Sequence, residues 1–103
     1  MKRVYLDNAA TTPLDPAVVE EMTNVMQNYY GNPSAIHALG REVRTLVEKA
    51  RKTVATLLNA SPSEVFFTSG GTEADNMVLR SCTEDLGVNH IITSTIEHHA
   101  VID

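Results

Sequence analysis

The arrangement that most restricts the fold lies between residues 65 and 96, where a short apolar run, a glycine pair, a helix-patterned stretch and a second apolar run follow one another. Val65-Phe66-Phe67-Thr68 reads as a short buried strand, and Ser69-Gly70-Gly71 breaks it. From Thr72 to about Leu86 the residues Ala74, Met77, Val78, Ser81 and Cys82 share one helix face, and Gly87 supplies the stop. Residues 90–96, His-Ile-Ile-Thr-Ser-Thr-Ile, form the second strand. Strand, helix and strand in succession predict two parallel strands joined by a right-handed crossover, hence an α/β fold.

Two helices are expected ahead of this unit. Arg3-Val4-Tyr5-Leu6 is β-prone but too brief to stand alone as a sheet, and the polar loop Asp7 to Pro13 follows it. Asp15-Pro16 then has the form of an N-cap with proline at the first helical position. Val18, Met22, Val25, Met26 and Tyr29 keep helical spacing until Gly31-Asn32-Pro33 stops them. Ser34 is read as the cap of a longer second helix. Its apolar stripe is Ile36, Leu39, Val43, Leu46, Val47, Ala50, Val54, Leu57 and Leu58, with Arg41, Arg44, Glu48, Lys49, Arg51 and Lys52 on a solvated face. Ser61-Pro62-Ser63-Glu64 predicts a single helical turn, and residues 97–103 open a helix that the sequence does not finish.

Composition narrows the function classes. With 103 residues, 43% of them hydrophobic and 20% charged, the chain is of globular type and can bury one modest core. Thirteen acidic against eight basic residues leave a net charge of −5 without any Lys/Arg cluster, so nucleic acid is not expected as a partner. Cys82 alone allows neither an internal disulfide nor a thiolate-rich metal site and fits a reducing compartment. The apolar stretch after Met1-Lys2-Arg3 ends at Asp7, too short for a signal-peptide core. No apolar run approaches the roughly 20 residues a bilayer needs. A soluble cytoplasmic protein without membrane contact is expected.

Two candidate sites emerge from the pattern. Ser69-Gly70-Gly71-Thr72-Glu73 brings a strand to a helix N-terminus, where free N–H groups and the positive end of the helix dipole favour an anion, above all phosphate. Ser69 and Thr72 could add hydroxyl donors. No lysine follows the glycines and the three-glycine dinucleotide spacing is missing, so it is neither of those two phosphate motifs. A turn in which Ser69 or Thr72 only caps the helix satisfies the same residues. Glu97-His98-His99 follows the second strand, and in parallel sheets ligands bind outside the carboxyl ends of strands, so both segments can face one pocket. The adjacent histidines cannot both point at one ligand, and surface or helix-start roles remain open to them. With His90 distant, these residues lack metal-ligand spacing, and no metal is expected. Cys82 is read as a small buried hydrophobe, Lys49 and Lys52 as surface charges, and His37 as either structural or site-lining.

Four stretches together go beyond spacing: YLDNAATTP from Tyr5, GNPSAIHALGR from Gly31, FTSGGTEADN from Phe67 and HIITSTIEHHAVID from His90. In order and separation they closely resemble the N-terminal quarter of NifS/IscS-type cysteine desulfurases, class V, fold-type I pyridoxal-phosphate enzymes. The resemblance implies that residues 1–103 are the N-terminal portion of that family's large domain. It implies pyridoxal 5'-phosphate as cofactor, with Gly71 and Thr72 on the phosphate and His98 stacked on the pyridine ring and assisting proton transfer. His99 has no such counterpart. Asn8 to Thr11 resembles the family's N-terminal loop near the active-site mouth, and Asn32 to His37 a conformationally important loop leading into helix two. The implied reaction removes sulfur from L-cysteine to leave alanine and an enzyme persulfide, with iron–sulfur scaffold proteins or sulfur carriers as acceptors and a homodimer as the assembly. Selenocysteine lyases and other class V enzymes share part of the pattern, and a short non-enzymatic module derived from the family is the alternative of a different class.

In the family the Schiff-base lysine, the aspartate facing the pyridine nitrogen and the persulfide cysteine all lie downstream of these motifs. Neither Lys49 nor Cys82 replaces them, so this chain alone is expected to be inactive and to bind the cofactor weakly if at all. Its strands would have open edges and helix two an uncovered face, which leads to an expectation of oligomerisation or partial disorder unless another chain covers them.

Overall fold

Local signals set where each helix begins. The computed structural model describes residues 3–102, and the chain separates into two units, Met1–Pro62 and Ser63–Asp103.

In the first unit the Tyr5 hydroxyl lies 2.6 Å from that of Thr11, and the Asp7 carbonyl accepts from the Ala10 and Thr11 amides. Helix α1 spans Pro16–Asn28, with Asp15 as its cap: Oδ1 accepts from the Ala17 amide at 2.8 Å while Pro16 fills the first helical position. Both features were expected, because the proline lacks an N–H that would otherwise go unbonded. Helix α2 spans Ala38–Leu57. On the stripe expected to be apolar, Val43, Leu46, Val47 and Val54 are half-buried and Ala55 beside them is buried, whereas Leu57 and Leu58 at its end stay exposed. Asn59 closes α2 in the left-handed region, φ 53°, which lets the Ala60 amide reach the Ala55 carbonyl at 2.9 Å.

Helix α2 begins later than a Ser34 cap implies. The Ser34 amide instead donates to Asn32 Oδ1 at 2.8 Å and the Ala35 amide to the Asn32 carbonyl at 3.0 Å, so Asn32 closes a side-chain-stabilised turn there. His37 is the N-cap, its Nδ1 accepting from the Gly40 amide at 3.3 Å. Arg44 Nε donates to the Pro33 carbonyl at 2.8 Å and the Arg41 guanidinium to the Ile36 carbonyl. These two arginines therefore clamp the loop 31–37 onto α2 and are not merely solvated charges. The loop closes because Gly40 is buried against the Ala35 and Asn32 carbonyls and Gly31 against that of Leu39, approaches that leave no room for a side chain.

At the division between the units, Pro62–Glu64 forms the single turn its sequence predicts. In the second unit the chain then runs to the glycine turn. Helix α3 spans Gly71–Arg80 and continues into one wider π-helical turn, Ser81–Asp85, closed by the Leu86 amide on the Ser81 carbonyl at 3.0 Å. Gly87 ends it with φ +66°, the conformation a helix stop requires of its glycine. The short α4, His99–Ile102, packs on α3 and buries Ala100.

The expected parallel β-α-β pairing does not form: residues 65–68 and 90–96 carry no strand ladder, nor do residues 3–6. Ile92 and Ile96 remain 88% and 92% exposed. A helix satisfies its own backbone locally, but a strand needs neighbours on its edges, and parallel strands need cover on both faces as well.

Candidate functional site

The glycine turn presents an uncapped helix end. Gly70 has extended backbone, φ 170° and ψ 179°, and donates no side chain to cap α3. The first helical bond is that of the Ala74 amide to the Gly70 carbonyl, 3.1 Å, so the amides of Gly71 and Thr72 precede the ladder. A Cβ placed on Gly70 or Gly71 would meet nothing within 4 Å, so an open space adjoins the turn on that side. Thr72 is exposed beside it.

Ser69 braces the turn itself. Its amide and its hydroxyl both donate to Glu73 Oε2, each at 2.6 Å, folding the turn around the carboxylate. The two bonds from Ser69 hold the exposed Glu73 below the ordinary glutamate range, the hydroxyl having the larger effect and the amide the smaller. Because the folded value is depressed, this bracing is present above the unfolded value of about 4.3 and is lost as pH falls through the folded value. An acid titration followed at the Ser69 amide resonance is therefore expected to show its midpoint below that of an unfolded glutamate. A midpoint at or above that value would show the bracing to be absent.

His98 leads into α4. Its Nδ1 accepts from the Ala100 amide at 3.1 Å, and its carbonyl accepts from the Val101 and Ile102 amides at 2.8 and 3.3 Å. With Nδ1 occupied as an acceptor, the neutral ring carries its proton on Nε2. The rings of His98 and His99 stand 6.1 Å apart with their planes at 67°, an edge-to-face arrangement.

Asn76, the last residue of the FTSGGTEADN stretch, joins these two segments. Its Nδ2 donates to the Thr72 carbonyl at 2.9 Å and to the Ala100 carbonyl at 3.1 Å. Apart from its place at the end of that stretch, its signal in the sequence is an asparagine in the middle of a helix, a position that residue type disfavours unless its amide finds a partner.

Other singled-out residues take structural places. His37 caps α2, and Asn8 to Thr11 and Asn32 to His37 belong to the first unit. Lys49 lines a shallow groove with Glu21, Val25 and Leu46. Cys82 is half-buried in the π-helical turn, where its carbonyl accepts from the Val88 amide at 2.9 Å. Among the described residues no three His, Cys, Asp or Glu side chains gather as a metal site, and no helix is long and apolar enough to cross a membrane.

Comparison with known proteins places this geometry in a family. The sequence model of the class-V aminotransferases matches residues 4–103, and the chain belongs to that family. Cysteine desulfurase IscS of Dictyoglomus turgidum is 50% identical over 100% of this chain and 27% of its own length. The mitochondrial cysteine desulfurase of Drosophila melanogaster is 47% identical over 97% of this chain and 22% of its own length. A solved NifS-like protein superposes with a TM-score of 0.87 at 47% identity, over 98% of this chain and 28% of that chain. The chain spans about a quarter of the length of these relatives and shares the fold of that part.

Proposed function

We propose that residues 1–103 are the N-terminal portion of a cysteine desulfurase, which removes sulfur from L-cysteine and leaves alanine and an enzyme persulfide. The persulfide then supplies an iron–sulfur scaffold or another sulfur carrier. The observation that carries the reading is 50% identity to a desulfurase along the whole chain. The complete enzyme is read as a cytoplasmic homodimer. In its large domain residues 65–68 and 90–96 become strands of a parallel sheet, edged and covered by the rest of the protein.

The residues present fit pyridoxal 5'-phosphate. The open space over Gly70 and Gly71, which a Cβ would enter, admits a phosphate against the first amides of α3. Gly71 and Thr72 would hold the phosphate through their amides and the Thr72 hydroxyl, and His98 would lie on the pyridine ring. When bound, the cofactor supplies an electron sink for bonds broken at the amino-acid α-carbon. The work of this chain is positioning and proton transfer. The helix dipole and amides of α3 offset phosphate charge, Glu73 with Ser69 keeps the turn closed, and His98 exchanges a proton at Nε2 while Ala100 holds Nδ1.

Substituting Thr72→Ala in the complete enzyme is expected to weaken cofactor affinity about tenfold, the equivalent of one charge-assisted hydrogen bond. Equilibrium dialysis against the cofactor measures it, and unchanged affinity would remove Thr72 from the site. Reading the gene past codon 103 tests the wider proposal. A continuing frame with a Ser-x-His-Lys segment supports it, whereas an immediate stop favours a short module of the family.

A further inference from the structure

His98 stands at the start of α4, and the turn it opens is held by hydrogen bonds to its own ring and from a neighbouring helix. Its anchorage comes from α3. Ala100 is the one apolar side chain of this unit that is buried among the described residues, and its peptide is gripped at both ends: the carbonyl accepts from Asn76 and the amide donates to His98 Nδ1. Asn76 also bonds the Thr72 carbonyl, one turn back on α3. A carboxamide has two N–H donors on one nitrogen, which suits two carbonyl acceptors on separate segments. An aspartate of the same shape would set a negative charge against both carbonyls, and a leucine would offer no donor.

Resting on the placement of His98 proposed above, we propose that Asn76 is the positioning residue of this site. By holding the Ala100 peptide it orients the His98 ring, keeps the proton on Nε2, and ties that ring to the turn that carries Thr72. Its contribution is orientation and tautomer, so its loss should act on turnover more than on substrate affinity.

The test uses the complete enzyme with Asn76→Ala, Asn76→Asp and His98→Ala. Histidine-selective nitrogen NMR of the wild type is expected to show His98 with its proton on Nε2. Both Asn76 variants are expected to add the Nδ1-protonated form and to lower kcat about 10- to 100-fold, with KM for cysteine changed less than about threefold. A single Nε2-protonated form and wild-type kcat in Asn76→Ala, with His98→Ala inactive, would overturn the inference alone. Wild-type turnover in His98→Ala would instead overturn the proposed role of His98, while the tautomer measurement still decides whether Asn76 orients that ring. A measurement without substitution guards against variants that do not fold. The Asn76 side-chain amide protons are expected to exchange with solvent more slowly than those of an unbonded asparagine, and equal rates would also overturn the inference.

Discussion

His98→Ala in the complete enzyme is expected to lower kcat by about 10²- to 10⁴-fold, the range lost when a positioned general acid or base is removed. The reasoning runs from the hydrogen bonds to the chemistry. Nδ1 is taken by the Ala100 amide, so Nε2 is the ring atom left to exchange a proton, and the side chain is exposed at the start of α4 with no apolar pocket of its own to fill. Loss of the ring therefore removes chemistry more than stability. His98→Phe separates the two duties of the ring, since phenyl offers a flat face for stacking but no proton. This variant should retain cofactor better than His98→Ala and be equally slow in turnover. Steady-state rates with cofactor-occupancy measurements check both, and a wild-type rate in either variant would remove His98 from the mechanism.

Gly40→Ala is expected to carry the largest cost to stability, about 1 to 3 kcal/mol. A Cβ there would stand 2.6 Å from both the Ala35 and the Asn32 carbonyl oxygens and 2.9 Å from the Ala35 Cβ. Two of those atoms are backbone in the turn closed by Asn32, so relief requires the loop to move, which would also pull Pro33 away from Arg44. Gly31→Ala is expected to act alike, since its Cβ would meet the Leu39 carbonyl oxygen at 2.5 Å and carbon at 2.7 Å. The two changes strain one contact surface and should not add in the double variant. Gly70→Ala is the contrasting case. Its Cβ enters open space from extended backbone, so stability should move by less than about 0.5 kcal/mol, while the methyl intrudes where the phosphate is proposed to sit. Thermal melting of the complete protein measures all three, and a Gly40→Ala variant that melts with the wild type would contradict the close approach.

Much of the helical part was legible before any coordinates. The Asp15 cap, Pro16 at the first helical position, the Pro62–Glu64 turn and the Gly87 stop all act within a few residues, and each stands where the residue types predict. The start of α2 was misread because Asn32 offers the backbone a closer partner than Ser34 does, which left the capping to His37. The candidate site was partly legible. Gly70, Gly71 and Thr72 announce an anion turn, but residue types alone leave Ser69 open between ligand donor and helix cap, and its amide and hydroxyl go to Glu73 four residues on. Asn76 was missed because its second acceptor lies 24 residues away, beyond any local pattern.

The sequence by itself determined the family, through four motifs in order, and the helices, because capping, periodicity and glycine stops are satisfied inside a single turn. Only the tertiary structure decided that residues 65–68 and 90–96 form no strand ladder in this chain, that Gly31 and Gly40 pack against backbone, and that Asn76 joins α3 to the His98 turn. The physical reasons differ. A parallel ladder needs neighbouring strands and cover on both faces, the two glycine contacts depend on how the loop 31–37 folds back on α2, and the Asn76 bond joins residues 24 apart, which no local pattern encodes.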